Sequence, residues 1–154
     1  MPKIELDAIP QVSRTGYPAP FDRAVAGRWH RRLAPACGLG EFGASHVVLK
    51  PGAWSSQRHW HRGEGELLVM LSGEAVLVED DGRELLRPGD ICAWPKGAGN
   101  GHHVINESGE DCSFLAISAG QEEGGWYSDI DMNWREDRRY YHKDGRAYSA
   151  ERSG

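Results

Sequence analysis

His59, Trp60 and His61 form an H-x-H triplet whose spacing suits metal ligation. On an extended strand, residues two apart share a face, so both imidazoles can approach one point while Trp60 turns the other way. Glu66 follows a glycine-rich turn, Gly63 to Gly65, after which a neighbouring strand can bring its carboxylate back to that point. His102 opens a later strand-like stretch, beyond a second glycine-rich loop that runs from Pro95 to Gly101. Imidazoles and a carboxylate together suit a borderline divalent cation such as Zn, Fe, Mn, Ni or Co, and ligand type does not choose among these. His59, His61, Glu66 and His102 are therefore the candidate ligands for one divalent metal ion, with coordination positions left open for water or substrate.

Such a site needs strands to aim its side chains. Short apolar segments recur between turn residues: Ser45–Leu49, Gln57–His61, Leu67–Leu71, Ala75–Val78, Arg83–Leu86, Ile91–Trp94, His102–Ile105 and Ser113–Ser118. Pro51-Gly52, Ser72-Gly73 and Arg87-Pro88-Gly89-Asp90 punctuate them, and Asp80-Asp81-Gly82 signals a hairpin. Close strands without a long helical period predict an all-β, antiparallel sandwich or barrel. Residues 41–120 form the predicted barrel, residues 1–40 an extended arm with one short strand, and residues 121–154 an irregular tail. Trp126, Tyr127, Trp134, Tyr140, Tyr141 and Tyr148 would anchor that tail.

Composition narrows the function classes. A net charge of -5 argues against a nucleic-acid partner, which usually meets an excess of basic residues. Arg28–Arg32 and Arg138–Arg139 are short basic clusters, expected as solvated faces or salt-bridged edges. No apolar run is long enough to span a bilayer and no secretory signal opens the chain, so a cytoplasmic protein is expected, with no membrane partner. Cys37, Cys92 and Cys112 are odd in number and contain no C-x-x-C pair, which argues against a disulfide framework or a structural zinc ribbon, and Cys92 and Cys112 read as buried small hydrophobes.

The order of these residues resembles a known family. Gly52…His59-x-His61-x-x-x-x-Glu66…Gly73 closely resembles the first motif of the cupin superfamily, and Gly89…Pro95-x-Gly97…His102-x-x-x-Asn106 resembles the second. Six residues separate Gly52 from His59 where the motif has five, and four separate Gly97 from His102 where it has two. Both differences fall in loops, where length is tolerated. The second leaves His102 and His103 competing for one ligand position. Spacing to Asn106 favours His102, and His103 is then expected to pack or hydrogen-bond.

The flanks Tyr17-Pro18-Ala19-Pro20-Phe21, Val25-Ala26-Gly27-Arg28, Tyr127-Ser128-Asp129-Ile130-Asp131-Met132 and Lys143-Asp144-Gly145-Arg146-Ala147-Tyr148 resemble a bacterial subgroup of small cupins labelled sugar phosphate isomerases. That resemblance implies an all-β, antiparallel double-stranded β-helix of jelly-roll type and a metal-dependent isomerase or lyase acting on a small oxygenated substrate such as a sugar phosphate. Arg58, Arg62, Lys50 and Lys96 are the cations nearest the motifs in sequence, and Glu64 is a possible base, although its glycine neighbours suggest an exposed turn. A non-haem iron dioxygenase is an alternative, with Met70, Val76, Trp94 and Phe114 lining an apolar pocket. A non-catalytic metabolite- or metal-binding module is another. Small cupins commonly dimerise, and apolar residues on both faces of Leu67–Leu71 fit a homodimer.

Overall fold

Strands form where alternating side chains are bracketed by turn residues. The computed structural model describes residues 3–149. In chain order the strands are β1 (Arg28–Arg32), β2 (Gly43–Leu49), β3 (His59–His61), β4 (Glu64–Ser72), β5 (Ala75–Glu79), β6 (Gly82–Leu86), β7 (Ile91–Trp94), β8 (His103–Ile105), β9 (Cys112–Gly120), β10 (Gly125–Tyr127), β11 (Asn133–Trp134) and β12 (Tyr140–Tyr141). A single helical turn, α1 (Leu33–Ala36), follows β1.

Every strand pair is antiparallel. One sheet has the order β1-β2-β9-β4-β7, a second β6-β5-β8 and a third β12-β11-β10-β3. Isolated bridges, His59 with His102 and Trp54 with Ile105, connect the β3 region to the chain around β8. The apolar faces meet in a core built from both sides: Leu49, Met70 and Phe114 from the first sheet, Leu77, Leu86 and Val104 from the second. Burying each such side chain contributes roughly 1.5–3 kcal/mol before entropy is counted. The architecture is an antiparallel jelly roll, as the sequence predicts.

Two departures from the expected elements bear on the site. β4 begins at Glu64 rather than Leu67, because its ladder with β9 continues through Glu64 opposite Gly120 and Gly65 opposite Ala119. Only Arg62 and Gly63 separate β3 from β4, and a Cβ on Gly63 would lie 2.2 Å from the Gln121 carbonyl oxygen, so only glycine permits the approach. β3 is also shorter than expected. The Gln57 amide donates to the Tyr17 hydroxyl at 3.2 Å and the Gln57 side chain donates to the Phe21 carbonyl at 3.0 Å, which ties that residue to the arm.

The flanking segments contribute to the fold. β1 adds an edge strand beside β2, and the tail, largely irregular, supplies β10 as the direct neighbour of β3. A second cluster joins Tyr127, Met132 and Trp134 of the tail to Tyr17 and Phe21 of the arm. Gly73 closes the turn after β4 with φ 68, and a Cβ there would sit 2.5 Å from the Asp111 carbonyl oxygen. Among the described residues no helix is long and apolar enough to cross a membrane.

Candidate metal centre

Alternation along β3 puts His59 and His61 on one face, and their Nε2 atoms approach to 3.1 Å. His102 stands opposite His59 in the antiparallel bridge, which sets its ring beside the His59 ring at a centroid separation of 5.1 Å. Glu66 comes from β4 in the five-stranded sheet. Its Oε1 lies 3.1 Å from His61 Nε2, and its Oε2 lies 2.6 Å from His102 Nε2. His59, His61 and Glu66 present ligand atoms that all fall within 4.8 Å of one another, and His102 joins the cluster through Glu66.

The donor set fits a divalent ion. Two nitrogens 3.1 Å apart, each about 2.0–2.1 Å from a shared ion, subtend roughly 100° there, between the octahedral and tetrahedral angles. His59 Nδ1 lies 2.8 Å from the Gln57 carbonyl oxygen, to which it donates its proton. That bond leaves the His59 Nε2 lone pair directed at the cluster.

Charge is arranged unevenly among these groups. Burial pushes the His59 pKa down to about 3, so that ring is neutral. Burial also acts to lower His61, but the Glu64 and Glu66 carboxylates beside it prevail and raise it to about 9. For Glu66 burial acts upward, yet His102 and His61 hold the carboxyl well below its usual range. Two indoles enclose the rings: Trp94 stacks on His102 at 3.9 Å, and Trp134 meets His61 edge-on at 5.0 Å. Trp94 is itself held by a 2.6 Å bond from its Nε1 to Glu79.

A family model for the cupin domain matches residues 45–118. A sugar phosphate isomerase from a cupin superfamily, solved from Silicibacter pomeroyi, is 36% identical, with a TM-score of 0.90 over 99% of this chain and 100% of that one. The chain belongs to the cupin superfamily. A structure from Acidithiobacillus ferrooxidans, described as a candidate sugar phosphate isomerase, is 25% identical with a TM-score of 0.67, over 75% of this chain and 76% of that one. The oxalate-binding protein of Thermotoga maritima is 34% identical over 74 residues, 47% of this chain. The match spans 58% of that curated relative's length.

The remaining predicted residues of this cupin fall into distinct places. His103 turns from the cluster: its Nδ1 pairs with the Ser56 carbonyl oxygen at 2.9 Å and its ring meets Trp54 edge-on. Glu64 does not sit in an exposed turn. It lies on β4, with Oε2 3.2 Å from His61 Nδ1 and its side chain 22% exposed. Asn106 is fully buried and donates to the Leu49 and Glu110 carbonyls, so its part in the second motif is to fasten a turn. Arg58 pairs with Asp129 and Asp80, and Lys50 with Asp111. Trp94 and Phe114 line the main cavity, whereas Met70 is part of the buried core.

That cavity, about 930 Å³, holds His59, Glu66 and His102 in its wall. Glu64, Arg28 and His30 also line it. Sequence reading placed neither Arg28 nor His30 at the site. The signal was present in the alternation of Arg28-Trp29-His30-Arg31-Arg32, which puts every second residue on one face.

Proposed function

We propose that this cupin holds one divalent ion through His59, His61, Glu66 and His102 and acts on a small oxygenated substrate, as an isomerase or lyase of the sugar-phosphate type. The observation that carries the reading is the convergence of the His59, His61 and Glu66 ligand atoms within 4.8 Å, beside a cavity large enough for a metabolite that His59 and Glu66 line. Likeness along the full chain to the Silicibacter pomeroyi sugar phosphate isomerase supports the reaction class. When bound, the ion supplies Lewis acidity toward a carbonyl and its neighbouring hydroxyl. Glu64 shares the inward face of β4 with Glu66 and serves as the proton acceptor for a substrate carbon in the cavity. Trp94 and Trp134 shield the imidazoles from water.

The test is metal analysis of the purified protein, followed by proton NMR of aldose and ketose phosphates in D2O. Metal-dependent exchange of the proton beside the carbonyl is expected. No exchange across the panel with metal-loaded protein would overturn the isomerase reading. A second reading, a binding module without turnover, draws support from the stretch shared with an oxalate-binding protein. Saturable oxalate binding with no chemical change would favour it.

The homodimer is part of the same proposal. Ile91 is 65% and Leu71 46% exposed, leaving apolar surface on the neighbouring strands β7 and β4 at one side of the five-stranded sheet. Light scattering that returns a monomer mass at micromolar concentration would reject it.

A further inference from the structure

β1 carries Arg28, His30 and Arg32 at alternate positions, and all three line the cavity that holds the metal centre. We propose that this row binds the phosphate of a phosphorylated substrate whose opposite end lies at His59, His61, Glu66 and His102. The inference rests on the metal-centre reading above and adds the substrate's second anchor.

Unneutralised charge is the first support. Among the described residues no carboxylate lies within 4.0 Å of the Arg28 or Arg32 side chain. Arg31, at the intervening position, pairs with Asp7 at 3.1 Å. The arginines nearest the motifs do not compete for the role, since Arg58 is committed to Asp80 and Asp129. A positive row inside a protein of net charge -5 is a local feature that concentrates field on an entering anion.

Unsatisfied donors are the second. Arg28 is braced by Nη1 to the Ser55 carbonyl at 2.9 Å and Nη2 to the Arg14 carbonyl at 3.3 Å, yet its buried Nε has no partner. The buried Nδ1 of His30 also has none. Burial together with Arg28 and Arg32 lowers the His30 pKa, the effect of cations gathered without a counter-ion. Ser45, opposite Arg32 in the β1–β2 register and also in the cavity lining, adds a hydroxyl donor. A phosphate dianion meets these needs with several acceptor oxygens.

Placement is the third. β2 and β9 lie between β1 and β4, so the row and Glu66 stand three strand spacings apart, about 14 Å along the sheet. Inward-reaching arginine side chains and a small polyol phosphate bridge that gap together.

The experiment titrates inorganic phosphate into the metal-loaded protein, Arg32→Gln, His30→Gln and the metal-deficient His61→Ala by calorimetry, with circular dichroism to confirm folding and oxalate as a second probe. Losing one charge-assisted contact is expected to weaken phosphate about tenfold or more in Arg32→Gln and His30→Gln, with metal content unchanged. His61→Ala is expected to keep its phosphate affinity. Unchanged affinity in both folded row variants overturns the inference, as does phosphate binding that vanishes with the metal, because the anion would then sit on the ion. Oxalate binding more tightly than phosphate at the row overturns the phosphate assignment. Failure of the metal-centre reading appears separately, as a wild-type protein that takes up no metal.

Discussion

His59 and His102 are directly opposed partners of one antiparallel bridge: the His59 amide donates to the His102 carbonyl at 3.2 Å and the His102 amide donates back at 2.9 Å. Backbone bonds therefore set the spacing of two imidazoles, and removing either ring leaves the bridge in place. His102→Ala is expected to fold while losing metal affinity by about tenfold or more, since even groups behind the ligands cost that much. Elemental analysis beside circular dichroism checks this. Stoichiometric metal in the folded variant removes His102 from the donor set.

Metal affinity should rise with pH. His61, raised to about 9 chiefly by Glu64 and Glu66 acting against burial, keeps its proton through neutrality in the metal-free protein. Metal must expel that proton, so affinity gains about tenfold per pH unit from near 7 toward 9 and then levels. His59, pushed down to about 3, is already neutral and contributes no proton over this range. In the metal-free protein the sign reverses. The His61 ion pairs stabilise the fold below its ordinary value of 6.5, and that stability fades as pH rises through about 9. Calorimetry in buffers of different ionisation enthalpy reads the released proton, and a pH-independent affinity contradicts the account.

Arg58 fastens the tail and the hairpin loop beside β3. Its guanidinium, 13% exposed, pairs with Asp129 and Asp80 and donates to the Gly101 carbonyl, adjacent to His102. Arg58→Ala is expected to cost about 1–3 kcal/mol, as lost charge-assisted bonds do, and to weaken metal binding through His102. Arg58→Lys should recover little, because an ammonium lacks the planar fork that meets Asp129. Urea denaturation with parallel metal titration checks both parts. A variant of full stability and full affinity would leave the clamp without consequence.

Asn106 separates fold from chemistry. Its amide donates to Leu49 and Glu110 and its oxygen accepts from the Ser108 amide and hydroxyl. Asn106→Ala leaves buried carbonyls unpaired, an expected loss of about 2–4 kcal/mol. Its metal content at low temperature should match the unsubstituted protein, unlike that of His102→Ala. Loss of metal from a folded Asn106→Ala would give the residue a direct part in the site.

Alkali should loosen the join between arm and tail. Burial raises the Tyr17 phenol to about 12 from 10.0, and the folded state therefore holds that proton more tightly than the unfolded chain. The linked stability is complete below pH 10 and is lost as pH rises toward 12, up to about 2–3 kcal/mol. Tyr127 and Tyr140, also raised by burial, act in the same direction. Denaturant midpoints measured between pH 8 and 11 should fall at the alkaline end, and less steeply in Tyr17→Phe. Equal slopes would assign the loss to other groups.

Strand positions and the shared face of His59 and His61 could be read directly from the chain, because both follow from the two-residue repeat of an extended backbone and from turn-forming glycine and proline. Ligand atoms of His59, His61 and Glu66 converge within 4.8 Å, and His102 reaches them through Glu66. Alternation does not say which strands become neighbours. The pairing of β10 with β3, the extension of β4 to include Glu64, and the turn of Arg28, His30 and Arg32 into the cavity each depend on contacts distant in sequence. Local pattern determined which side chains share a strand face. Only long-range pairing and the packing of one sheet on another decided what each face meets, because that choice rests on register and burial summed over the whole molecule.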